Sequence, residues 1–372
     1  MNGLLTVMLI VVLAPLGVMV AAIPYLTRKT ESFGVSIEER HWLDPEIRGM
    51  RRTYALGTGT AAALVLLAGL AAAAFLDERS LVWLLPALTG VMLIAQAAFY
   101  LRFHFRMKAL KVRRGLLSSE QEIVADTAFH REKRAFSNRW LLPHLAVAAA
   151  TAAFCLIFYD RFPEQLVMQY DLQGNPTRTV GKSYPGVLMP VILQLFLVLM
   201  FWITNYMIAS SKQQLDASRP RQSLVQNLAF RRRWSAFMLI AGFLMVLSFA
   251  VMPLQMMFQF PVSAALAALL AASMFIVLGS IVLAVTTGQG GSRIRVGEPA
   301  GEPAAGRVNR DDDRHWKLGV FYFNPDDPAI FLEKRFGVGW TVNWARPAAW
   351  ALLFGPLVLI VVILITLEML DV

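Results

Sequence analysis

Residues 234–285 read WSAFMLIAGFLMVLSFAVMPLQMMFQFPVSAALAALLAASMFIVLGSIVLAV, and no Asp, Glu, Lys or Arg interrupts them. Crossing about 30 Å of hydrocarbon at about 1.5 Å per residue takes about 20 residues. This stretch therefore holds two membrane spans, 234–253 and 261–285, joined by an uncharged turn. Working outward by the same rule gives further spans at 4–26, 54–76, 81–101, 140–159, 185–209 and 347–369, eight altogether. Composition agrees: 57% of the 372 residues are hydrophobic and 16% charged, against about 45–50% and about 25% in average soluble domains. A disordered chain is excluded and an ordinary soluble enzyme disfavoured. The single cysteine, Cys155, leaves no intrachain disulfide and no cysteine-based zinc cluster.

The first span has no basic segment before it, and Arg28 and Lys29 follow it, so a retained span is expected and not a cleaved signal peptide. Asp77 to Ser80 separate the second and third spans, which form a tight hairpin. Pro15, Pro86, Pro190 and Pro356 lie inside spans and are read as kinks. The net charge is +10, yet all but four of the 35 Lys and Arg fall in segments 27–53, 102–139, 210–233 and 286–346. The four exceptions are Arg79, Arg161, Arg178 and Lys182. Because basic loops stay on the cytoplasmic side, these four segments are expected inside and both termini outside a bacterial plasma membrane. The lipid bilayer is the first partner implied. The basic residues are dispersed over membrane-edge loops, so no nucleic-acid partner is expected.

The chain divides into a first span with its basic loop (1–53), a helical hairpin with a basic amphipathic segment (54–139), and two spans around an outer loop at 160–184 (140–209). A basic loop with two spans (210–285), a flexible linker rich in Gly and Pro (286–310), an aromatic module (311–346) and a last span (347–372) follow. Within 27–53, Gly34 suits a turn, and Asp44-Pro45 suits the cap and first position of a short helix. Segment 102–139 reads as an extension of the third span followed by a basic helix suited to an anionic leaflet or to solvent. The module, with Trp316, Phe321, Tyr322, Phe323, Phe331, Phe336, Trp340 and Trp344, is too aromatic for a linker. Turns are expected at 324–328 and at Gly337/Gly339.

In the outer loop, Leu166 to Leu172 suits a strand, Gly174-Asn175-Pro176 a turn and Thr177 to Val180 a return strand. Such a hairpin either joins two spans or presents Tyr170, Asp171, Arg178 and Lys182 to an external ligand. Asp171 and Lys182 flank the turn with opposite charges and either pair across it or meet a ligand's charges. Tyr170 offers an apolar face with a polar tip. The five histidines are scattered, with His144 alone in an apolar setting and read as structural. The acidic pieces at 311–313 and 326–327 lack the spacing of a calcium loop. No catalytic motif or nucleotide loop is visible, and no metal or cofactor is expected. The spans carry no mid-membrane charge of the kind that coupled transporters use. Gln96, Gln194 and Asn205 are read as helix–helix hydrogen-bonding groups.

Pro163, Tyr170, Asp171, Gly174 and Lys182, followed by a span holding Pro190, resemble an outer-loop pattern of bacterial proteins similar to SdpI, the immunity protein of the sporulation-delaying-peptide system. Gln169 stands where that pattern has His, and Thr177 where an acid is frequent. Trp316 to Gly319, Asn324, Asp327-Pro328, Phe331, Lys334-Arg335, Gly337, Gly339 to Thr341 and Asn343 resemble a second domain of unknown function attached to such proteins. Arg28, Phe33 to Val35 and Arg51-Arg52-Tyr54 resemble the long members of the group.

The resulting expectation is an all-α integral membrane protein with about eight transmembrane helices and a small aromatic cytoplasmic module before the last span. It is expected to be no enzyme but an immunity or signalling protein that answers a toxic extracellular peptide. The ligand-recognition residues are expected at Tyr170, Asp171, Gly174 and Lys182. Trp316, Asn324, Asp327, Lys334, Arg335 and Trp340 are expected to mark the cytoplasmic module, which with the basic loops couples either to a partner such as a cytoplasmic regulator or to the leaflet. A carrier or flippase for an amphiphilic solute is the alternative from another class.

Overall fold

The computed structural model describes residues 3–76, 78–116, 134–171, 174–214, 219–297 and 312–369. The protein is an all-α membrane protein with small two-stranded sheets. The long helices are α1 (Gly3–Leu26), α2 (Pro45–Ala72), α3 (Glu78–Arg114), α4 (Leu142–Ile157), α5 (Tyr184–Ser210), α6 (Pro220–Phe249) with its short continuation α7 (Val251–Phe258), α8 (Val262–Thr287) and α9 (Pro347–Met369). Seven helical stretches are long and apolar enough to cross a membrane, and α9 adds a shorter apolar run, Pro347–Ile363. Each span read from the sequence corresponds to one of these helices. The chain forms two compact units, whose boundary falls inside α6 and α8.

One unit holds residues 1–134, 211–232 and 281–346. Helices α2 and α3 both outrun their apolar cores: α2 starts at Pro45 and α3 continues to Arg114. Pro45 opens α2 at its first turn, but the Asp44 carboxylate does not cap it. That carboxylate instead faces His41 at 3.0 Å and Arg114 at 3.7 Å, so the short helix expected there is simply the start of the second span. The extensions bury Ile47, Met50 and Tyr54 of α2 against Tyr100, Phe103, Met107 and Leu110 of α3, with Phe33, Val35 and Ile37 from the loop between α1 and α2. The Phe33 ring lies 5.3 Å from Phe103 and 5.5 Å from Tyr54. That loop carries the small hairpin β1 (Glu31–Ser32) and β2 (Val35–Ser36), turned by Gly34 at φ +75°.

The aromatic module docks on the same α3 extension. It consists of two hairpins, β5 (Trp316–Lys317) with β6 (Phe321–Tyr322), and β7 (Phe331–Glu333) with β8 (Trp340–Val342). Gly34 and Gly319 come so close that a Cβ on Gly34 would stand 2.6 Å from the Gly319 carbonyl. Tyr100 donates to the Leu318 carbonyl at 2.8 Å, and His104 Nδ1 lies 2.8 Å from the Phe33 carbonyl.

At the centre of this unit is a buried ion junction. Glu333 and Arg231 are both fully buried. Glu333 Oε1 accepts from Asn227 Nδ2 at 2.7 Å and from Arg231 Nη2 at 2.9 Å, while Oε2 takes the Arg28 guanidinium. Arg231 also donates to Asn227 Oδ1 at 2.7 Å and to the Ser211 carbonyl at 2.9 Å. Arg28 donates to Gln214 at 2.7 Å. The backbone of Lys212 pairs with β7, donating to the Phe331 carbonyl at 2.8 Å. A second ionic layer joins Arg335 to Asp312 and Asp313, and Lys111 to Asp313 at 2.7 Å. Parts of all four basic segments, 27–53, 102–116, 211–233 and 286–346, therefore meet on one side of this unit. A buried charge left without its partner is costly, so these contacts are mutually dependent.

The stretch read as a flexible linker is packed at its start. Gln289 is buried; its amide bonds the Lys334 and Gly339 carbonyls, both at 2.9 Å, and its carbonyl oxygen accepts from Gly339 N at 2.7 Å. Gly291, at φ +83°, lies against the Gln226 backbone so closely that a Cβ would stand 2.2 Å from its carbonyl oxygen. Its glycines serve a tight turn here, not slack chain. The remainder of that stretch, 298–310, lies outside the described residues, as does most of the basic segment expected as an amphipathic helix, 117–133.

The other unit holds residues 135–210, 233–280 and 347–372. Its helices are tied by polar groups that the sequence marks. Gln194 donates to Thr151 at 3.2 Å and to the Val246 carbonyl at 2.9 Å. Asn205 donates to Asn138 at 2.6 Å, and buried His144 Nε2 lies 2.9 Å from the Leu239 carbonyl.

Two outcomes are expected for the first unit. Glu333→Ala strands Arg231 and Arg28 and lowers stability in detergent by about 3–5 kcal/mol. Arg231→Met with Glu333→Leu recovers much of that loss, as read by thermal unfolding; equal damage from the single and double variants would contradict the junction. Glu31, in β1, is buried and its Oε2 has no hydrogen-bond partner. Burial raises its carboxyl to about 7, against the pull of Arg28 and Arg335 and with the push of Glu333 and Asp313. The fold thus binds a proton that the unfolded chain releases between about pH 4.5 and about 7, so this group's contribution to stability falls as pH rises through that window. Glu31→Gln removes the loss: its melting temperature gains on wild type between pH 5 and pH 8, whereas a constant difference would show that Glu31 is ionised throughout.

Candidate functional site

The six module residues singled out in the sequence are chiefly building blocks. Asn324 and Asp327 shape the 324–329 turn: Asn324 Oδ1 accepts from Asp326 N and Asp327 Oδ1 from Ala329 N, each at 3.0 Å. Asp327 Oδ2 also accepts from Lys212 Nζ at 2.6 Å and Tyr322 OH at 2.8 Å. Burial pushes this carboxyl up, but the Lys212 ammonium, the Ala329 N–H and the Tyr322 hydroxyl together hold it below its ordinary value. Trp316 is buried with the Arg335 guanidinium 5.0 Å above its ring, and Trp340 is buried 5.2 Å from Phe230. Of the six, Lys334 alone is exposed. The module's open surface lies elsewhere, at Leu318, Phe321 and Phe323.

Sequence reading passed over Glu333, Arg231 and Arg28 as functional candidates. Their signal is faint: Asn227 and Arg231 are one helical turn apart on α6, and Glu333 is the acid beside Lys334-Arg335 in an apolar, aromatic run.

The 160–184 segment is an ordered hairpin of β3 (Gln165–Tyr170) and β4 (Pro176–Gly181). Its register pairs Gln165 with Gly181, Leu166 with Val180, Val167 with Thr179, Gln169 with Arg178 and Tyr170 with Pro176, with irregularities at Met168 and at Thr177. Leu166 and Val180 share a face and pack with Phe162, Cys155, Val187 and Val191. Toward the tip β4 is exposed on both faces, from Pro176 to Thr179. Leu172 and Gln173, at the tip, lie outside the described residues.

The expected recognition residues take different places in this frame. Asp171 closes the turn, accepting from Asn175 N at 2.7 Å and Asn175 Nδ2 at 2.9 Å, while Gly174 adopts φ +87°. Tyr170 is anchored to α7, its hydroxyl accepting from Gln255 Nε2 at 3.0 Å. Lys182 pairs with Glu164 at 2.6 Å, a bond that raises its ammonium above the ordinary value. Asp171 and Lys182 therefore do not pair across the turn. The antiparallel register puts Asp171 at the tip and Lys182 at the base, beyond the Gln165–Gly181 pair. The cross-strand neighbours Gln169 and Arg178 are both exposed, and Arg178 is unpaired among the described residues. Thr177 and Thr179 are exposed as well, on the other face of β4 from Arg178. The hairpin is thus a braced frame that exposes the cationic Arg178 beside the Gln169 amide.

Residues 146–194 match a domain of unknown function (DUF1648), a span that runs from α4 through the hairpin into α5. Residues 325–350 match a family of unknown function (DUF5808), which begins in the module's turn and ends in α9. No curated protein and no solved structure matches the chain. With its apolar helices, the chain is a multi-pass membrane protein carrying two domains of unknown function.

Proposed function

We propose that this chain is a non-enzymatic membrane protein of SdpI-like immunity or signalling type, resident in the bacterial plasma membrane. In this reading the 160–184 hairpin and both termini face outward, and the basic segments and aromatic module face the cytoplasm. The hairpin meets a toxic peptide, and the exposed Leu318, Phe321 and Phe323 of the module meet a cytoplasmic regulator. The observation that carries this reading is the anchoring of the hairpin at tip, flank and base, by Asp171–Asn175, Tyr170–Gln255 and Lys182–Glu164. A mere connector needs no such bracing, whereas a recognition surface gains affinity from preorganisation. The domain match over 146–194 coincides with this braced segment. Arg178 and Gln169 are its outward contacts, suited to a carboxylate and an amide of a peptide.

The test is growth of a sensitive host challenged with a sporulation-delaying-type peptide. Arg178→Glu, which leaves every anchor in place, is expected to lower protection by about tenfold or more at unchanged membrane levels, in keeping with loss of about 1.5–3 kcal/mol from a charged hydrogen bond. Arg178→Lys retains part of the protection. Full protection by Arg178→Glu would overturn the reading. Protection in neither wild type nor variant, together with wild-type-dependent export of a labelled amphiphile, would favour the carrier.

A further inference from the structure

An open groove of about 500 Å³ runs between α4 and α5 in the second unit. Leu142, Leu145, Leu195, Leu199 and Trp202 line its length, and Arg139 stands at one end. Both helices are long and apolar enough to span a membrane, so the groove opens on the flank that hydrocarbon bathes. Leu142 is 63% exposed and Leu195 49%. Ordinary bilayer lipid would cover such a flank without preference. Three observations make this end of the groove selective.

The first is charge. Arg139 is exposed, has no ion pair among the described residues, and no acidic side chain lines the groove. The second is position. Trp140, next to Arg139, is 60% exposed and Trp202 is 41% exposed, the amphipathic pairing that marks the headgroup level of a bilayer. The third is rigidity. Arg139 belongs to a 3₁₀ turn, Asn138–Leu141, whose approach is locked by a closed ring of hydrogen bonds. Asn205 donates to the Phe136 carbonyl at 3.0 Å and to Asn138 Oδ1 at 2.6 Å. Ser235 donates to Asn205 Oδ1 at 2.6 Å, and Phe136 N donates to Ser235 Oγ at 2.9 Å. Asn205 and Ser235 are buried, so the turn is held from within the bundle while its cation points outward.

We propose that this groove binds an anionic phospholipid of the surrounding bilayer, with the phosphate on the Arg139 guanidinium and one acyl chain along the α4–α5 groove. A guanidinium matches phosphate oxygens in a two-point bond, and the leucine-lined length matches hydrocarbon. The site lies outside the 160–184 hairpin and does not depend on what that hairpin binds.

Native mass spectrometry of the purified full chain tests the assignment, with phosphatidylglycerol and phosphatidylcholine of identical acyl chains titrated in parallel. Wild type is expected to retain phosphatidylglycerol about fivefold better than phosphatidylcholine, the scale of one basic side chain at an anionic surface. Arg139→Gln brings the two to parity with an unchanged melting temperature. Leu145→Trp, which fills the groove, lowers retention of both. Parity in wild type, or an undiminished preference in Arg139→Gln, would overturn the site. Selective retention of a free fatty acid over either phospholipid would overturn the phospholipid assignment and give the groove to a single-chain anionic amphiphile.

Discussion

Glu333 and Arg231, each with no exposed surface, form the contact on which the first unit depends. A guanidinium and a carboxylate placed in a medium of low polarity lose several kcal/mol of hydration each. The loss is tolerable because Asn227, Arg28 and the Ser211 carbonyl complete the remaining hydrogen bonds. The partners come from three connecting segments: Arg28 from 27–53, Ser211, Asn227 and Arg231 from 210–233, and Glu333 from 286–346. The junction therefore ties three separate segments into one assembly, and the Lys111–Asp313 pair adds the α3 extension as a fourth. The aromatic pile of Phe33, Tyr54, Phe103 and Phe336 supplies apolar burial, while Glu333 ties β7 to Asn227 and Arg231 of α6.

The second unit solves its packing differently. Neutral amides and hydroxyls, Gln194, Asn205, Thr151 and Ser235, bridge helices within the spans, where a charge would be far more costly. Ionic and hydrogen-bonding groups reappear at the hairpin, where water can solvate one face. The hairpin's charged side chains divide their work accordingly. Lys182 and Asp171 hold the frame, and Arg178 stays exposed.

The spans were legible in the sequence because hydrocarbon imposes one simple demand, a long uncharged run. The strand–turn–strand of the outer loop was legible too, since Gly174-Asn175-Pro176 and the alternation of Leu166 and Val180 are local signals. What was not legible depends on distant pairs. Arg28, Arg231 and Arg335 were counted as topological charges, because nothing local links residue 28 or 231 to an acid at 333. The extensions of α2 and α3 were legible, but not their partners: Pro45 to Tyr54 and Tyr100 to Leu110 bury one stripe against each other and against Phe33, Val35 and Ile37. Gly288, Gly290 and Gly291 suggested slack chain, yet all three hold positive φ in a turn buried on Gln226. Lys182 was misplaced relative to Asp171 because strand register, which sequence alone did not specify, decides which ends of a hairpin meet.

The most direct test of the account asks whether the 211–214 segment lies beside β7. Lys212 and Leu332 are parallel bridge partners, close enough for a disulfide. In a Cys155→Ser background, Lys212→Cys and Leu332→Cys are combined with a protease site inserted at Gly301. After oxidation and cleavage, the account predicts that the two fragments migrate together without reductant and separate with it. Fragments that separate without reductant, at full oxidant and in folded protein, would contradict the convergence of the basic segments.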